Sequence, residues 1–160
     1  MVSRLMSCLK TQYSLMPESS EKREPVGLEY LRNNLQEILW LEHSPKAGKI
    51  ITEVSRFVLH QCGELRTHQI RNIFGRIKRA DTPGKLQIAR NFLTYTAGRQ
   101  DEKSQAAIKL FNEILEKVRT PAADAKAEDH KNAQMEVRNV QHFFESIVAF
   151  HKFHFGDKNK

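Results

Sequence analysis

Two cysteines, seven glycines, five prolines and one tryptophan are all that this 160-residue chain holds of the residues that most often signal special chemistry or special backbone. Cys8 and Cys62 lie far apart in different segments, which excludes a disulfide framework and a CxxC metal half-site. Both are read as reduced, and the compartment as cytoplasmic. The glycines are scattered singly, so there is no glycine-rich phosphate loop. No apolar run approaches the roughly 18 residues of a membrane span. The N-terminus also lacks a signal peptide's uninterrupted apolar stretch, so a soluble, non-exported protein with no membrane partner is expected.

Catalytic constellations are missing too. There is no G-x-S-x-G elbow, and Cys62 has only His60 as a nearby partner in sequence. Among the seven histidines, His142 and Glu145 make an H-x-x-E spacing on one helical face. One such pair cannot supply the three or four ligands of a metal site. His151, nine residues on, falls about 900° further round and therefore on the opposite side of the same helix. The Glu-x-x-His run that a di-iron bundle needs on each of two helices is not found in the part expected to fold. These absences point to a binding protein without metal or cofactor, not to an enzyme.

What the chain does have is charge in one place. Between Thr67 and Arg99 stand seven basic side chains (Arg71, Arg76, Lys78, Arg79, Lys85, Arg90, Arg99) against the single acid Asp81, an excess of +6 within a total of +7. The first 66 residues hold nine basic and eight acidic side chains, and the last 61 hold ten of each. A field this concentrated is either a solvated helical face or a phosphate-binding surface.

The period of the apolar residues gives the scaffold. Residues 1–26 carry no sustained period and are expected to be a disordered tail. Residues 27–160 are expected to form one domain, an all-α compact helical bundle of five to six helices with a long C-terminal helix. The spacing predicts helices over about Leu28–Glu42, Ala47–Gln61, Thr67–Ala80 (Thr67 as N-cap), Pro83–Ala97, Glu102–Val118 and His130–Phe153, with a connector at 120–129. The fourth is apolar on two sides, with Leu86, Ala89, Leu93 and Ala97 on one and Ile88, Phe92 and Tyr95 on the other, which predicts a place in the middle of the bundle.

On the third predicted helix Ile70, Ile73, Phe74 and Ile77 form the stripe, and Arg71 and Lys78 share a face about 90° away. Arg79 points away from the core and Arg76 lies on the other flank. Arg90 falls within about 40° of the buried line of the fourth helix, so it must snorkel, pair with a carboxylate or reach an anion. Arg99, at the end of that helix, also complements the macrodipole. Only Tyr95 could be an exposed ring within the basic block, so RNA would be recognised through backbone and shape without a base code.

The C-terminal stretch Val140-Gln-His-Phe-Phe-Glu-Ser-Ile-Val-Ala-Phe-His-Lys-Phe-His-Phe-Gly156 resembles the terminal signature of the small helical subunit of type III-A CRISPR-Cas effector (Csm) complexes. Thr67-His-Gln-Ile-Arg-Asn-Ile-Phe74 and Phe92-Leu-Thr-Tyr-Thr-Ala-Gly-Arg99 resemble two earlier stretches of that family, in the same order. The resemblance spans about residues 47–156, and residues 1–45 depart from it.

It implies a non-catalytic, RNA-binding structural subunit that stacks in the inner filament of the ribonucleoprotein during antiviral defence. Its implied partners are guide RNA, target RNA, the repeated backbone subunits, the large polymerase-like subunit and further copies of itself. The resemblance carries Arg71 and Arg99 over as RNA contacts. Lys78, Arg79, Lys85 and Arg90 join them on charge alone, and Lys152 from the matched His-Lys pair. His151 is expected to pack instead of touching RNA. A helix-turn-helix DNA-binding protein, with the third helix in the major groove, and a purely protein-binding helical scaffold are the alternatives.

Overall fold

The computed structural model describes residues 27–156, and within them the chain is helical without a strand. The expected tail 1–26, and with it Cys8, lies outside the described residues. The elements are α1 (Leu28–Asn33), α2 (Leu35–Leu39), a 3-10 turn (Leu41–His43), α3 (Ala47–Gln61), α4 (Thr67–Arg79), α5 (Pro83–Ala97), α6 (Glu102–Lys117) and α7 (Ala127–Phe155).

The single helix expected over Leu28–Glu42 is instead three short pieces. The break falls at Asn34, whose backbone leaves the helical region (φ −123°, ψ 32°). Its side-chain amide donates to the Tyr30 carbonyl at 2.8 Å, and its side-chain oxygen accepts from Lys46 Nζ at 3.1 Å. Asparagine competes for backbone groups in this way and so ends helices. Thr67 is not the N-cap of α4. The cap is Arg66, in extended conformation, and its N–H donates to Gln69 Oε1 at 2.8 Å. α5 and α6 start on conventional caps: Thr82 Oγ1 accepts from the Lys85 N–H, and Asp101 accepts from Lys103 and Ser104.

α7 is the spine, about 43 Å long at 1.5 Å per residue over its 29 residues. It lies along α3 and α4, and its middle meets α2 and the 3-10 turn, while α6 closes the core from the other side. At the centre Phe57, Phe111, Phe144 and Phe143 meet edge to face, with ring centroids 5.9, 5.0 and 5.7 Å apart in sequence. α1 and α2 belong to this core, since Leu31, Ile38 and Leu39 are buried in it. Gly27 permits the entry of the chain. Its φ is +94°, and a Cβ there would sit 2.7 Å from the Phe57 backbone nitrogen.

α5 is not in the middle of the bundle. Leu86 and Leu93 are buried and the helix packs chiefly on α6, but Ile88 is 69% and Tyr95 59% exposed. The second apolar side is therefore only partly covered: Phe92 is half-buried under the Arg76 guanidinium, while Ile88 and most of Tyr95 stay open.

Candidate nucleic-acid interface

α4 is amphipathic because Ile70, Ile73 and Ile77 recur at helical spacing, and all three are buried. That burial fixes the helix lengthwise on α7. Gln141 of α7 donates to the carbonyls of Ile77, Lys78 and Ala80 at 3.3 Å, and Gln134 to that of Asp81 at 2.7 Å, which satisfies the C-terminal end of α4 and the turn after it. At the other end His151 Nε2 lies 2.8 Å from the Leu65 carbonyl oxygen. A carbonyl only accepts, so Nε2 carries the hydrogen. His151 is 1% exposed, and burial holds its pKa below the usual 6.5. Packing, not contact with a ligand, is its role, as its helical position predicted.

The outward side of α4 carries the charge. Arg71, Lys78 and Arg79 are all exposed, and none forms an ion pair among the described residues. Lys78 Nζ lies 5.7 Å from the centre of the Phe74 ring. α5 runs antiparallel beside α4, and two arginines are stacked along the seam. The Arg76 guanidinium sits 4.0 Å from the centre of the Phe92 ring, and that of Arg99 4.5 Å from the centre of Tyr95. Such stacking orients a guanidinium without neutralising it. Lys85 closes the far end of the ridge. Its Nζ is 2.6 Å from Asp81 Oδ1, and that hydrogen bond holds the Asp81 carboxyl below its usual range.

The remaining predicted positions separate from this ridge. Arg90 faces α6: its Nε donates to Asn112 Oδ1 at 2.8 Å, Nη1 to Gln87 Oε1 at 3.0 Å, and Nη2 pairs with Glu116 at 3.3 Å. Of its three sequence-level alternatives, the carboxylate pair is the one observed. Lys152 is exposed near the C-terminal end of α7, beside the residue that bonds Leu65.

One feature of the seam was not read from the sequence. Where the start of α4 meets the end of α5, a groove of about 170 Å³ opens, lined by His68, Gln69, Asn72, Phe92, Tyr95 and Arg99, among others. The signal was present as His68 and Asn72 at i, i+4 and Tyr95 and Arg99 at i, i+4, but it needs the pairing of the two helices to become visible.

Among the described residues no group of three or more His, Cys, Asp or Glu side chains could hold a metal ion, and no helix is long and apolar enough to cross a membrane. His142 is engaged by Glu42 at 3.1 Å and Glu145 at 3.5 Å on the surface. Cys62 is buried and free, and its burial pushes the thiol far above its usual range.

Fold and surface together define a small, all-helical protein with an exposed basic edge on α4. The family model described as Csm2 Type III-A matches residues 46–157, and the chain belongs to this family, the small subunits of the type III-A CRISPR effector (Csm) complex. Association with other subunits of such a complex comes with that membership. The match takes in α3 to α7 and leaves α1 and α2 outside, close to the limits expected from the motifs. No curated protein and no solved structure matches the chain.

Proposed function

We propose that the protein is the non-catalytic, RNA-binding structural subunit of a type III-A CRISPR ribonucleoprotein, stacking in the inner filament and holding the guide and target RNA by their backbones. The observation that carries this reading is the exposed edge of Arg71, Lys78 and Arg79 on α4, to which the family resemblance adds the exposed Arg99 just beyond α5. Its cations are exposed and mounted on a helix whose other face is core. Phosphate contacts fix register and orientation without reading sequence, which is what a subunit repeated along an RNA requires. The repeated backbone subunits, the large polymerase-like subunit and further copies of the chain are the protein partners in this reading, and chemistry on nucleic acid belongs to other subunits.

The test is to replace Arg71, Lys78, Arg79 and Arg99 together with Glu and assemble the complex on guide RNA. All four side chains are exposed, so folding is expected to survive. Target engagement is expected to be lost, and normal assembly with normal target engagement would sink the proposal. A footprint on one specific duplex DNA sequence would support the helix-turn-helix reading instead. Partner capture insensitive to salt and nuclease would support the purely protein-binding scaffold.

A further inference from the structure

We infer that the groove between α4 and α5 takes one unstacked RNA nucleobase, so that the protein engages an extrahelical nucleotide as well as a backbone. The inference rests on the RNA-binding reading above and adds a ligand to it. Size is the first argument. The groove's volume of about 170 Å³ falls below the roughly 300–1,000 Å³ of sites for drug-sized ligands, which leaves room for a single ring system.

The second argument is the platform. Tyr95 is 59% exposed although Arg99 already lies against its ring, so aromatic surface remains open beside a cation. Ring and guanidinium together make the kind of surface on which bases stack. Free hydrogen-bonding edges supply the third. The side chains of His68, Asn72 and Gln100 line the groove and have no hydrogen-bond partner among the described residues. Amide groups offer donor and acceptor side by side, which suits base edges of more than one identity.

Position completes the case. Arg99 lines the groove, and the Arg76 guanidinium stacks on Phe92 of its wall, so two cations stand at the site itself. A base seated in the groove therefore brings its own phosphates to the cations. A neutral ring without phosphates would leave those cations unused.

The experiment uses the full chain and an RNA duplex carrying 2-aminopurine as a single-nucleotide bulge, compared with the same duplex fully paired. Tighter binding of the bulged duplex and quenching of its fluorescence are expected. Tyr95→Ala should weaken the bulged duplex by about ten-fold, within the range of one lost base stack, and the paired duplex by clearly less, so that the preference is lost. Tyr95→Trp should restore the preference, and Asn72→Ala should reduce it. Equal binding of both duplexes, an unquenched probe, or a Tyr95→Ala protein that keeps its preference would overturn the base site. If Arg71, Lys78 and Arg79 replaced by Glu still abolished binding in those cases, the backbone reading would stand alone. Failure of the unaltered chain to bind either RNA overturns both.

Discussion

Asn139 is fully buried in α7, and its amide joins two parts of the chain far apart in sequence. Nδ2 donates to the Leu39 carbonyl at 2.9 Å, and Oδ1 accepts from the Glu42 N–H at 3.1 Å. Replacing it with alanine leaves both backbone groups without a partner, at a cost of about 2 kcal/mol. The expected result is a melting temperature lower by several degrees, with amide exchange accelerated at residues 41–43; unchanged exchange there would contradict the assignment. His151 makes a pH-dependent contribution of a different kind. Its folded pKa is depressed by burial below the usual 6.5, so above that pH the histidine is neutral in both states and stability is complete. As pH falls through 6.5 the unfolded chain takes up the proton first, and stability is lost until the folded-state pKa is reached. Urea midpoints measured between pH 8 and pH 5 should decline in the unaltered protein and decline less in His151→Gln.

At the scale of elements, α1 and α2 lie outside the family match yet bury Leu31, Ile38 and Leu39 against α3, α6 and α7. Arg32 of α1 adds an ion pair to Glu113 of α6 at 3.0 Å. A chain begun at residue 46 should therefore expose apolar surface and lose its cooperative thermal transition. Within the full chain, Ile38→Ala should cost about 2–5 kcal/mol, the range of large-to-small changes in a packed core. A soluble, sharply melting 46–160 fragment would show that the early helices are dispensable. The bounds of α3 and α5 were legible to the residue, because Pro45, Gly63 and the Asp81-Thr-Pro-Gly84 turn punctuate them locally. The break at Asn34 was not legible. Leu31, Leu35, Ile38 and Leu39 keep helical spacing across it, and one of the contacts that make the break comes from Lys46 twelve residues away. The exposed side of α5 was hidden for a related reason, since period reports which residues are apolar and not what lies opposite them. Charge placement, which is local, marks the exposed edge of α4; the groove needed two helices to be set side by side.

For the molecule as a whole, the consequence of holding +6 of a +7 charge between residues 67 and 99 is an oriented field instead of a diffuse one. Each phosphate neutralised contributes roughly 0.7–0.9 to the log-log slope of affinity against salt. The variant with Glu at positions 71, 78, 79 and 99 should thus lose about three units of slope along with its affinity. An affinity loss at constant slope would place the defect away from phosphate contacts. The spine adds a further condition. His151 fixes the Leu65 carbonyl at the point from which α4 departs, although it is 1% exposed and lies in the stretch that matches the family's terminal signature. A selection scored only on loss of RNA binding should therefore return position 151 beside the ridge arginines. Photocrosslinking separates the two groups, because a ridge residue should yield an RNA adduct and the imidazole beneath it should yield none.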